Sequence, residues 1–211
     1  MKKFELTNEF ITNSYGVKLF RIKALIEFGN VKAGDLGGYI EKEENLSHMG
    51  DAWIYGDAQI SGNAQVFGNA QVFGDAQVFG DAWVFGNARV FGNARVSGDA
   101  QVFGDARVFG DAQVSGNARV FGNARVFGNA QVFGDARVSG DKDYAYAHGF
   151  GSCNRTTTFF RLKDGDVGVR CGCFYGTLAQ FRDKVCETHG ETKKAQEYLM
   201  LADLMEIRFK N

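Results

Sequence analysis

Proline is missing from all 211 residues, histidine occurs three times, and basic and acidic side chains nearly cancel to a formal net charge of −1. Each shortage narrows the field. Proline removes a ladder donor from a sheet, and average usage of about 5% would supply roughly ten; a chain with none suits a length spent on paired strands. Balanced charge builds no field for a polyanion, so no nucleic-acid partner is expected. No run of 18 apolar residues occurs, and the opening MKKFELTNEF is basic without an apolar stretch behind it. Neither a membrane span nor a secretion signal is expected, and a cytoplasmic location follows as the expectation. Four cysteines in that setting are expected as thiols rather than disulfides. Disorder is excluded, because 45% hydrophobic and 14% aromatic residues can bury a core.

What is abundant is glycine and phenylalanine, 28 and 20 of them, and their placement is periodic. From Asp51 to Gly140 run fifteen uninterrupted copies of (D/N)-A-(Q/R/W)-(V/I)-(F/Y/S)-G. A period of six matches no helical face, but fits a short extended segment followed by a Gly-Asn or Gly-Asp corner, where both residue types tolerate positive φ. Side chains alternate along a strand, so Ala and Val share one side and Gln/Arg and Phe the other. Arg89, Arg95, Arg107, Arg119, Arg125 and Arg137 occupy the second side, and six guanidinium groups cannot be buried without partners. Ala and Val are therefore the core. Tyr55 and ten phenylalanines then stand outside, interrupted by Ser61, Ser97, Ser115 and Ser139.

The unit V-x-G-(D/N)-A-x resembles the hexapeptide repeat of left-handed parallel β-helix proteins. That resemblance implies a mainly β fold, a triangular coil of three hexads per turn, hence about five regular coils. Strands about 4.8 Å apart make a prism roughly 24 Å long. Outward residues recur every 18 positions. One face carries Tyr55, Phe73, Phe91, Phe109 and Phe127, a second Phe67, Phe85, Phe103, Phe121 and Ser139, and a third Ser61, Phe79, Ser97, Ser115 and Phe133.

Three segments are expected: an N-terminal β cap with degenerate coils over 1–50, the repeat over 51–141, and a small α+β module over 142–211. The cap covers strand edges that would otherwise associate end to end. Its run DLGGYIEKEENLS, followed by GDAWIYGDA, resembles the start of YdcK-like proteins of bacterial and prophage genomes. In the last segment a linker (141–155) leads to a hairpin, TTTFFRLK and VGVRCGCF, closed by Asp164-Gly165-Asp166. Two helices follow. Thr177 caps the first, with Leu178, Phe181 and Val185 on one face and Gly190 ending it; the second buries Ala195, Tyr198, Leu199, Ala202 and Met205. This module, TTTFF…KDG…CGCFYGTLAQF…THG, resembles a domain associated with bacteriophage proteins.

Many proteins of the left-handed fold are acyltransferases with a histidine base, which keeps an acyltransferase-like enzyme as the alternative reading. His48, His148 and His189 all lie outside the hexads, so that catalytic motif does not carry over, and neither does the three-histidine zinc set of the γ-class carbonic anhydrases. No catalytic residue, cofactor or metal is expected. Cys171 and Cys173, on one side of a strand, with Cys153, Cys186 and His189 are read as packing residues, because C-x-C lacks knuckle spacing. His189 is read as interacting with the helix dipole.

Two features point to binding. Arg89, Arg107 and Arg125 recur every 18 residues beside Phe91 and Phe109; either they splay over the rings, or they form an anion site for a phosphate or nucleotide. The ladders Phe73, Phe91, Phe109, Phe127 and Phe67, Phe85, Phe103, Phe121 would expose more apolar surface than a monomer tolerates, so they are expected to be oligomer interfaces. Family resemblance favours a trimer. The expected function is a non-catalytic phage or prophage β-solenoid, a scaffold or binding protein of the bacterial host cytoplasm, whose partners are itself, a small anionic ligand or a host protein.

Overall fold

A computed structural model describes residues 2–151 and 155–210. Fifteen two-residue strands, from Trp53–Ile54 to Arg137–Val138, fall in register at 18-residue intervals into three parallel sheets. The Tyr55 face stacks the strands beginning at Trp53, Gln71, Arg89, Arg107 and Arg125; the Phe67 face those at Gln65, Trp83, Gln101, Arg119 and Arg137. The Ser61 face continues upward into Leu36–Ile40, whose Tyr39 and Ile40 pair with Gln59 and Ile60, and this makes a parallel solenoid of about six turns.

Ala and Val point inward without exception, as the charges required. Every repeat alanine is fully buried, and so is every repeat valine or isoleucine to within 1%. Coils are held by N–H groups of one turn donating to carbonyls of the next: Asn87 to Gly104 at 2.9 Å, Arg89 to Ala106 at 2.9 Å, Phe91 to Val108 at 2.9 Å. Glycine at the corner is needed twice over, as Gly92 shows. Its φ is +70°, and a Cβ there would lie 3.1 Å from the nitrogen of Gly110 in the coil below.

A repeat of this kind runs out of partners at its ends, and the flanks supply them. At the first turn the carbonyls of Gly50 and Ala52 face outward, and both accept from the ammonium of Lys3, at 3.2 and 2.8 Å. Gly62 and Ala64, one corner on, accept from the Asn45 amide at 3.1 and 2.8 Å. Backbone donors of Tyr39, Glu41 and Ser47 meet Ala58, Ile60 and Val66. At the last turn the polarity reverses, since N–H groups are left over. Arg125 N–H donates to the Asp141 carboxylate, Gln131 N–H to the Thr158 hydroxyl, and Ser139 N–H to the Asp143 carboxylate, each at 2.9 Å. Donor side chains close one end and acceptor side chains the other, as buried backbone groups demand.

The N-terminal hairpin, Phe4–Thr12 with Lys18–Ala24, extends the sheet of the Ser61 face, and its tip residue Tyr15 lies 5.8 Å from Phe79. The C-terminal module differs from expectation in its strands. Tyr144–Ala147, within the expected linker, is a strand, and VGVRCGCF is two: Val167–Cys171 and Phe174–Thr177 turn back on each other around Gly172, at φ +59°. A left-handed glycine between the cysteines breaks the strand, so Cys171 and Cys173 do not share its side. The resulting four-stranded antiparallel sheet packs on α1 (Leu178–His189) and α2 (Lys193–Phe209). Thr177 and Gln180 form a reciprocal capping box, and Phe181, Val185, Ala195, Tyr198 and Ala202 fill the core.

Candidate functional site

Three kinds of outward column run down the Tyr55 face, in the order the hexad dictates. At the corner stand Asp51, Asn69, Asn87, Asp105 and Asn123; in mid-face Gln71, Arg89, Arg107 and Arg125; beyond them Tyr55 and the phenylalanines. The rings stack nearly parallel, with centroids 4.8 Å apart for Phe73–Phe91 and Phe91–Phe109 and 5.3 Å for Phe109–Phe127. Phe67, Phe85, Phe103 and Phe121 do the same on their face, at 4.9, 4.9 and 5.2 Å. This spacing is the inter-strand distance itself.

Stacking has two consequences that differ from the sequence expectations. Ring faces cover one another, so the ladders show edges rather than faces to solvent; every member is half-buried except Phe127, which is 39% exposed. With ring faces occupied, no π surface is left for the adjacent guanidinium groups. Arg89, Arg107 and Arg125 make no cation–π contact, ion pair or side-chain hydrogen bond among the described residues, and all three are exposed. Of the two readings open for these three arginines, splaying over phenylalanine is not seen among the described residues.

Above the arginine row lies a trough of about 360 Å³. Arg89, Arg107 and Gln71 form its floor, the corner column from Asp51 to Asp105 one wall, and Tyr55 closes the upper end. Arg125, Phe91 and Phe109, placed with Arg89 and Arg107 by sequence, lie on the same face but below the trough or outside its lining. The lip is a residue pair that sequence reading missed. Gly29 and Asn30 form a two-residue turn between Phe28 and Val31, which exchange hydrogen bonds at 3.0 and 2.8 Å, and Gly29 rests against Asp51. The signal was present: Phe28-Gly29-Asn30 repeats the Phe-Gly-Asn corner of the hexads.

The corner wall is wired in one direction. Asn69 donates to Asn87 at 3.2 Å and Asn87 to Asp105 at 3.0 Å, each amide engaged by the coil below. In the equivalent column of another corner, the Asn117 amide and then the Lys163 ammonium hold the Asp135 carboxyl below the usual range. Burial pushes the Tyr55 hydroxyl up, with Arg89 opposing and Asp35 and Asp51 adding, so it is a neutral donor at pH 7.

The comparisons with known proteins agree with this geometry. The YdcK β-solenoid repeat matches residues 58–74, 88–100, 100–116, 112–128 and 118–132. The coil is a YdcK-like β-solenoid. No curated protein matches the chain. Arg89, Asp105 and Arg107 fall inside matched repeats of the YdcK-like coil, whereas the lip of the trough comes from its N-terminal cap.

None of the three histidines lines the trough. His48 is stacked on Phe4 at 4.3 Å and accepts from Lys3 N–H at 3.2 Å; His148 bonds the Thr156 hydroxyl at 3.0 Å; His189 leans on Tyr198 at 5.7 Å. Cys171 is half-buried and bonded by the Thr157 hydroxyl at 3.2 Å, while Cys173 and Cys186 are exposed. Cys153 lies outside the described residues. Among the described residues no three His, Cys, Asp or Glu side chains converge as a metal set, and no helix is long and apolar enough to cross a membrane.

Proposed function

We propose that this YdcK-like solenoid is a non-catalytic binding scaffold, which self-associates through its aromatic ladders and takes a small anion in the arginine trough. The observation that carries the reading is the division of labour among the three faces. The two phenylalanines of the Ser61 face are met by the chain's own flanks, Tyr15 lying against Phe79 at 5.8 Å and Tyr175 against Phe133 at 5.1 Å. The other two keep ring columns whose edges reach solvent, with only Phe127 met by the C-terminal segment, at Tyr144 and Tyr146; on the Phe67 face Trp83, 42% exposed, stands 6.2 Å from Phe67. Apolar edges in contiguous columns recover about 25 cal/mol per Å² when a second surface covers them. The resemblance to left-handed hexapeptide proteins favours three copies. The resemblance of the C-terminal module supports a bacteriophage or prophage setting, with the host cytoplasm as the place of action.

Sedimentation velocity at micromolar concentration tests self-association. The wild-type chain sediments as an oligomer, and Phe85→Ser with Phe103→Ser yields a folded monomer. A wild-type chain that sediments as a soluble monomer refutes the reading.

A further inference from the structure

The trough pairs two chemistries that a simple anion cannot satisfy together. Its floor is mainly donor, the guanidinium groups of Arg89 and Arg107, one coil apart and without a carboxylate partner among the described residues, beside the amide of Gln71. Its corner wall is rich in acceptors. Asn69 and Asn87 each commit an amide hydrogen to the residue below, and Asp51 and Asp105 add carboxylate oxygens. Two positive and two negative groups therefore face the same 360 Å³. A bare phosphate held by the arginines stands near carboxylates that repel it. A ligand whose anionic group is flanked by hydroxyls suits both sides: anion on the floor, O–H groups donating to the wall. Tyr55 closes the upper end with a ring against which a C–H-rich carbon skeleton can lie.

From this arrangement we infer that the trough binds a phosphorylated polyol or sugar, its phosphate bridging Arg89 and Arg107 and its hydroxyls bonded to Asp105 and the Asx column. The phosphate takes a fork of N–H groups from each arginine, relieving the repulsion between two like charges on adjacent coils. The hydroxyls use the acceptor capacity left over beside the Asx ladder, in which Asn69, Asn87 and Asp105 each already accept one hydrogen bond. This deepens the anion reading of the same site and rests on it.

Isothermal titration of the full chain at low ionic strength, with glycerol phosphate, ribose 5-phosphate, glucose 6-phosphate, glucose and inorganic phosphate, separates the two levels. At least one phosphorylated polyol binds tenfold or more tighter than inorganic phosphate, and glucose alone does not register. Arg107→Gln weakens that ligand at least tenfold, and added salt weakens it further. Asp105→Asn weakens the phosphorylated polyol while leaving inorganic phosphate unchanged or stronger, because a repelling charge is gone. Arg95→Gln, on the Ser61 face, changes neither. Equal affinity for inorganic phosphate and every phosphorylated polyol, both lost in Arg107→Gln, overturns the polyol class and leaves the anion reading standing. Binding by none of the probes, in a chain shown folded by circular dichroism, overturns both.

Discussion

Replacing Lys3 with Met probes how the solenoid closes its first turn. Lys3 is 1% exposed, its ammonium bonded to the carbonyls of Gly50 and Ala52 and 4.8 Å from the ring of Phe28. Burial lowers its pKa from 10.5 to about 8, with the nearby Asp51 carboxylate only partly opposing. The folded pKa thus lies below the unfolded one, so between pH 8 and 10.5 the unfolded chain holds a proton that the folded chain has released. Stability of the wild type is flat below pH 8 in this respect and rises through that window. The gap corresponds to about 2–3 kcal/mol. A neutral amine still donates to both carbonyls, whereas methionine leaves them unpaired at about 1–3 kcal/mol each. At pH 7 the lost hydrogen bonds and the relieved desolvation partly cancel, and Lys3→Met destabilises by about 1 kcal/mol; by pH 10.5 the difference grows by about 2. Urea unfolding followed through Trp53 fluorescence, with Trp83→Phe in both proteins, reads this end directly, because Trp53 is buried 5.4 Å from Phe28 and 6.4 Å from Phe4. Other groups that titrate in the window cancel in the difference between the two proteins. A wild-type-minus-variant gap that stays constant from pH 7 to 10.5 refutes the idea that a desolvated lysine is the cap.

Two further perturbations address the coil itself. Asn45→Leu strips the donors from Gly62 and Ala64 and the acceptor from Lys42 N–H, costing about 2–3 kcal/mol, and hydrogen exchange should quicken in residues 45–67 while the last coils keep their protection. Gly92→Ala strains a left-handed corner against the backbone of Gly110, whereas Gly16→Ala, at φ +78° with nothing within 4 Å, carries the strain without the contact; the urea midpoint should fall by the equivalent of about 1–2 kcal/mol for the first and less for the second.

The coil was legible because each hexad position does one job. Period six set the corner, arginine set the outward side, and the three hexads per turn implied by the resemblance to left-handed β-helix proteins set which residues stack, so the columns of Phe73, Phe91 and Phe109 could be written down before any coordinates. Legibility stopped where partners are distant in sequence or compete. Nothing local distinguishes Lys3 from Lys2 as an end cap, or ties Gly29 and Asn30 to Arg89 some sixty residues on. Of the two readings open for Arg89, Arg107 and Arg125, splaying over the rings is not seen, because across strands the rings stack on each other. The C-terminal hairpin was misread for a similar reason, since Gly172 between two cysteines reads as strand until Cys171 pairs with Phe174. Helix ends were plain, Thr177 and Gly190 carrying capping signals that depend on nothing remote.

Whether the uncovered ladders are interfaces is best measured by native mass spectrometry of the full chain at micromolar concentration, which counts copies without assuming a shape. The scaffold reading predicts species at a multiple of 23.2 kDa, with three copies dominant, reverting to one copy when Phe85 and Phe103 become serine. A wild-type chain found only at 23.2 kDa, soluble and folded, contradicts it.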